Sequence, residues 1–162
     1  CCPARMLQGS DRRTRASLSC VAESTHPDVV EIETLLDSFT DAVRSGDNQR
    51  LMSLHAVDAV AIFTGSTGRV AEVTSISAVW ADHLASWKDV TLNRRDTLVR
   101  IHGDVAWASF FWDGAGVQKG RSYRVTGERW SLVVIWEEGR WRIAQTHASL
   151  PFVDWEKLQE EG

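Results

Sequence analysis

Hydrophobic positions recur at three- and four-residue spacing near the start of the ordered pattern. Val29, Ile32, Leu35, Leu36, Phe39, Ala42 and Val43 fall on one side of a helix. Asp28, Glu31 and Glu33 stand near its beginning, where negative charge suits the helix dipole, and Gly46 marks its end. Asp47 is the N-cap expected of a short second helix with Leu51 and Leu54 inside. Asp58–Phe63 reads as a strand closed by the Gly65–Gly68 turn. A third helix is expected over Val70–Trp87, with Val73, Ile76, Val79, Trp80 and Leu84 on its apolar side. The remainder predicts strands at Val90–Ile101, Val105–Val117, Tyr123–Trp136 and Trp141–Ser149, joined by short glycine-bearing turns. Helices first and a meander of hairpins afterwards give an α+β fold: a curved antiparallel sheet wrapped around the N-terminal helices.

The strands are apolar on both sides. Trp130, Leu132, Val134 and Trp136 share one face, and Val133 and Ile135 lie on the other. Val105, Trp107, Ser109 and Phe111 likewise oppose Ala106, Ala108, Phe110 and Trp112. A sheet with one wet face would alternate apolar with polar residues, so both faces here call for cover. Helices cover the concave side, and a second copy of the sheet is the economical cover for the other, which predicts a homodimer. A sheet bent round a helix also leaves a cone with an open mouth, a natural small-molecule cavity.

Length and charge narrow the picture. At 162 residues the chain suits one domain, and no apolar run reaches the roughly 18 residues of a membrane-spanning helix. A net charge of −4 disfavours nucleic acid as a partner and makes a cytoplasmic protein the default. Residues 1–27 hold four arginines against two acids, together with Cys1, Cys2 and Cys20. That stretch reads as a basic, disordered extension, with an organelle-targeting remnant as the alternative. The chain does not begin with Met, which fits a fragment or a processed form. The domain is expected over 28–152, followed by a charged tail at 153–162. It contains no cysteine, so neither disulfides nor thiolate metals support it. No phosphate-binding glycine loop, nucleophile elbow or metal-ligand spacing is present, so neither cofactor nor metal is expected.

The run Gly127-Glu128-Arg129-Trp130-Ser131-Leu132-Val133-Val134, then Glu138-Gly139-Arg140-Trp141-Arg142-Ile143 and His147-Ala148-Ser149, resembles the end of SnoaL-like domains. These belong to the nuclear transport factor 2-like superfamily, of cystatin-like fold, with polyketide cyclases, ketosteroid isomerase and the calmodulin-dependent kinase association domain. Gly103-Asp104-Val105-Ala106-Trp107 and Arg44-Ser45-Gly46-Asp47 fit the same pattern, and the resemblance covers about residues 28–152. It implies a cone-shaped domain that hosts enzymes and non-catalytic modules alike. The isomerase's oxyanion-donating Tyr and general-base Asp fall on Phe39 and Phe63, and its second acid near Ser131 or Leu132, which argues against that mechanism. The kinase domain's cavity arginines correspond to Trp112, Leu132 and Ala148, which argues against an anion pocket.

Two histidines are the candidate proton carriers. His147 shares strand parity with Gln145 and Ser149, three hydrogen-bonding groups on one face, and that face is either the concave or the convex one. His83 lies three residues after Trp80 and four before Trp87, on one side of the third helix. Both have an ordinary alternative as structural histidines. Trp80, Trp87, Trp107, Trp112 and Trp130 are the candidate ligand-contacting rings, with core packing as their other reading. His55 and Asp58 form a weaker pair, and Arg94-Arg95 reads as a solvated hairpin end. The expectation is a dimeric domain binding a small apolar molecule, with isomerase, dehydratase or cyclase chemistry by acid–base steps. The alternative is a non-catalytic oligomerisation or ligand-sensing module whose cone is packed shut by Trp.

Overall fold

The computed structural model describes residues 26–151. The basic extension up to residue 25 and the charged tail, with the expectations placed on them, lie outside that range. His26 caps the first helix, its Nδ1 accepting the N–H of Asp28 at 3.3 Å, so the domain takes in the last two residues assigned to the extension.

Helix α1 runs Pro27–Ser45 and α2 runs Asn48–Ser53, each bounded as its capping residues dictate. Gly46 closes α1 in the left-handed conformation, and the Asp47 carboxylate accepts the N–H of Arg50 at 2.9 Å to start α2. Strand β1 follows at His55–Ile62, then a two-residue strand β2 at Val70–Ala71, and α3 at Val73–Ser86. Val70 and Ala71 pair with Ala61 and Val60, which delays the third helix by three residues. Four long strands complete the chain: β3 Trp87–His102, β4 Val105–Gln118, β5 Arg121–Glu137 and β6 Arg140–Ser149.

They form one sheet in the order β2-β1-β6-β5-β4-β3. The meander β3 to β6 is antiparallel as expected, but β1 lies parallel to β6, so the sheet is mixed. The intervening α3 makes that pairing sterically available, because parallel neighbours need a long connection.

The core sits in the hollow. Ile32, Leu36, Phe39 and Val43 of α1 are buried against the sheet, where Ala59, Ala61, Ala106 and Ala108 leave room for the helix. Phe39 is fully buried, with its ring 5.4 Å from Trp112 and 5.6 Å from Trp130. It forms the floor beneath both indoles. Truncating such a ring to Ala typically costs about 3–5 kcal/mol. Arg94 ties α1 to the sheet, its guanidinium donating to Asp37 at 2.6 Å. It is largely buried and paired, a correction to its reading as a solvated hairpin end.

Candidate functional site

Above that floor the concave side encloses a cavity of about 450 Å³. Its walls are largely apolar and carry a group of aromatic rings. Trp112 from β4 and Trp130 from β5 stand 4.4 Å apart between ring centres, and Trp80 from α3 stacks on Trp130 at 6.4 Å. His83 lies 3.9 Å from Trp87, whose other neighbour is Tyr123 at 5.1 Å. Phe63 packs edge-on to Trp80 at 5.6 Å. Trp80, His83 and Trp87 lie together, but Trp87 begins β3 rather than ending α3 as expected; Trp112 and Trp130 join them in the lining.

Among the described residues, one carboxylate reaches this chamber. Glu128 accepts the Thr64 hydroxyl through Oε1 at 2.6 Å and the Trp130 indole N–H through Oε2 at 2.9 Å. Each oxygen holds one donor and keeps further lone-pair capacity. Trp130 faces the core, and Glu128, two residues earlier on the same strand, shares that face.

Tyr123 is brought in by a bulge. Trp112 pairs with Glu128, but Gly114 pairs with Val125, so two steps on β4 are matched by three on β5. The extra residue reverses the alternation, and Tyr123 and Val125 line the same hollow as Glu128 and Trp130. Gly127 supplies the left-handed backbone there, at φ 69°. Asp113, on the outer side of β4, accepts its N–H at 2.7 Å and an Arg95 guanidinium N–H at 2.7 Å. Those two donors, the arginine foremost, hold the Asp113 carboxyl below its ordinary pKa.

Burial pushes the His83 pKa down, with Asp82 opposing, so the imidazole is neutral at neutral pH. Burial, assisted by the charge of Glu128, pushes the Tyr123 phenol up and keeps it a hydroxyl donor. The Trp112 and Trp87 indole nitrogens are buried without a hydrogen-bond partner. The chamber thus offers one carboxylate and several neutral hydrogen-bonding groups within a largely apolar shell.

The remaining candidates lie elsewhere. Thr146 and Ala148 of β6 point into the domain, so His147, Gln145 and Ser149 occupy the convex face, with the sheet between them and the cavity. A proton transfer shared between His147 and His83 across the cavity has no geometry here. Trp107 is likewise convex and 44% exposed, its ring stacked on His102 at 5.6 Å, because it has the opposite parity to Phe110 and Trp112. His55 is buried, its Nδ1 2.9 Å from the Leu51 carbonyl, and burial lowers its pKa to about 4. Asp58 is exposed, so the two form no constellation. Glu128, Thr64 and Tyr123 were not singled out by sequence; parity with Trp130 was the available signal for the first. Among the described residues, no three His, Cys, Asp or Glu side chains group at metal-binding distance, and no helix is long and apolar enough to cross a membrane.

The family model described as a SnoaL-like domain matches residues 32–153. Among solved structures, a candidate dehydratase of the NTF2-like family from Streptomyces avermitilis superimposes with a TM-score of 0.70 at 16% identity, covering 78% of this chain and 97% of that one. A candidate aromatic ring hydroxylase from Novosphingobium aromaticivorans gives 0.71 at 21% identity, over 78% and 90%. An uncharacterised Caulobacter vibrioides protein with a cystatin-like fold gives 0.69 at 19%, over 83% and 96%. At these identities the likeness concerns the fold. None of the curated proteins compared matches the chain.

Proposed function

The chain belongs to the SnoaL-like domain family of the NTF2-like superfamily, and on that footing we propose that its cone binds a small, largely apolar molecule and exchanges a proton with it at Glu128. The observation that carries this reading is the Glu128 carboxylate, fixed by Thr64 and Trp130 in an otherwise largely apolar chamber. A volume of about 450 Å³ suits a single-ring or few-ring ligand. A carboxylate positioned in a largely apolar cavity is a general base of the kind that isomerisation, dehydration and cyclisation use. The Tyr123 hydroxyl and the neutral His83 supply donors for an oxygen on the substrate. Such chemistry calls on no cofactor. The alternative of a module closed by its own tryptophans is less well supported, because the indoles line the hollow and leave it open.

The reading includes a homodimer formed back to back through the convex face. Leu98, Val105 and Trp107 are each more than two-fifths exposed there, an unusual arrangement for a surface that meets only water.

Native mass spectrometry of the purified protein identifies what the cone retains, and incubation of that molecule in deuterated water reads proton exchange. Wild type is expected to catalyse deuterium incorporation, and Glu128→Gln, compared at saturating concentrations of the molecule, to lose at least about a hundredfold in rate. Equal incorporation in both proteins refutes the role of Glu128, and no retained or added small molecule binding refutes the chamber.

A further inference from the structure

We propose that the molecule taken into the cone carries a positively charged nitrogen, a lipophilic ammonium set against the carboxylate of Glu128 and the faces of the surrounding indoles. The inference rests on the reading of the cone as a ligand chamber and specifies the chemistry of its occupant.

Charge comes first. Among the described residues lining the cavity, Glu128 is the one Asp, Glu, Lys or Arg. Asp37 on α1 and Asp113 on the outer side of β4 each have an arginine partner, Arg94 and Arg95 respectively. Glu128 has two neutral donors instead, the hydroxyl of Thr64 and the N–H of Trp130. They orient the carboxylate and leave its charge uncompensated. A half-buried anion in an apolar setting gains from a cation that brings its own counter-charge. An anionic ligand would meet Glu128 with no lysine or arginine among the described wall residues to offset the repulsion.

The ring faces act in the same direction. Trp80, Trp87, Trp112, Trp130 and Tyr123 line the same cavity as Glu128, and the Trp130 indole N–H bonds its carboxylate directly. Each ring presents a negative quadrupole face, strongest for indole, and attracts a cation placed within about 6 Å of its centre. Alkylated ammonium groups suit such a wall because their charge is spread over methyl or methylene carbons that also bury well. His83 does not compete for the site, since burial favours its neutral form. Carboxylate, indole faces and neutral imidazole together select positive charge.

Isothermal titration calorimetry with three probes of matched shape tests this: 4-hydroxyphenyltrimethylammonium, the neutral 4-tert-butylphenol, and the anionic 4-hydroxybenzenesulfonate. The ammonium is expected to bind at least about tenfold more tightly than tert-butylphenol, and the sulfonate not at all. Glu128→Gln is expected to bring the ammonium down to the level of tert-butylphenol, whose own affinity stays within about twofold and reports an intact cavity. Glu128→Asp, which keeps the charge, is expected to retain a preference for the ammonium. Binding of tert-butylphenol as tightly as the ammonium to wild type overturns the proposal and leaves the chamber standing. Failure of all three probes overturns both. The wild-type ranking decides the matter even if neither variant folds.

Discussion

The carboxylate of Asp113, on the outside of the sheet, holds the backbone N–H of Gly127 at 2.7 Å and so fixes the bulge that turns Tyr123 inward. An outer ion pair with Arg95 thereby controls which side chain of β5 reaches the inner chamber. Gly127→Ala tests the link. There is room for the added methyl, the nearest atom being an Arg95 nitrogen at 3.7 Å, so crowding is not the difficulty. The cost is the left-handed backbone at φ 69°, about 1–2 kcal/mol for an alanine. A fall of a few degrees in thermal midpoint is expected, with weaker binding in the cone as Tyr123 loses its register. An unchanged midpoint and unchanged binding would show that the bulge does not depend on glycine.

His55 makes stability depend on pH. The unfolded imidazole takes up its proton near pH 6.5, the folded one only near about 4. Between those values the unfolded chain binds more protons, so stability is full above about 6.5 and declines as pH falls towards 4. The loss amounts to at most about 3 kcal/mol, and His83, shifted in the same direction, adds to it. Urea midpoints measured across this range should fall on acidification. His55→Leu, which also removes the unpartnered Nε2, should flatten that decline. A decline as steep in the variant as in wild type would assign the effect to other groups.

Val79 offers a way to close the cone without touching the core. It lines the cavity from α3 yet is 39% exposed, so a larger side chain has solvent to expand into. Val79→Phe is expected to leave stability within about 0.5 kcal/mol and to reduce binding of any ligand by roughly tenfold, a loss of about 1.4 kcal/mol. Calorimetry beside a thermal melt separates the two effects. Binding at wild-type strength would mean that the ligand enters by another route.

Helices and strands were legible in the sequence because their signals are local: the period of α1, the Asp47 cap and the glycine turns all act within a few residues. The parallel pairing of β1 with β6 was not, since it joins segments some eighty residues apart. Strand alternation sets Trp107 and Trp112 on opposite faces, so the two could not both line the cavity as expected: Trp112 and Trp130 lie inside and Trp107 outside. It could not say which face of β6 was concave, and there the inward positions are the small Thr146 and Ala148 rather than the more reactive His147. Glu128 was reachable by counting back from Trp130. Tyr123 was not, because counting fails across a bulge whose only trace is the glycine at 127.

Trp107 provides the test of the back-to-back dimer. Its ring lies on His102, with Val105 on the same outer face of β4, and Ser131 and His147 pair on the neighbouring strands. A lysine at this position places a strongly hydrated charge where the proposed partner would press, and two copies meet across the symmetry axis, so the repulsion is applied twice. Trp107→Lys should therefore shift sedimentation from dimer to monomer at micromolar concentration. Because the sheet separates Trp107 from the cavity, ligand affinity measured on that monomer should stay within about twofold of wild type, less than 0.5 kcal/mol. A variant that remains dimeric would place the interface elsewhere. Loss of dimer and ligand binding together would show that the two faces of the sheet are coupled, with the curvature of the cone depending on the partner that backs it.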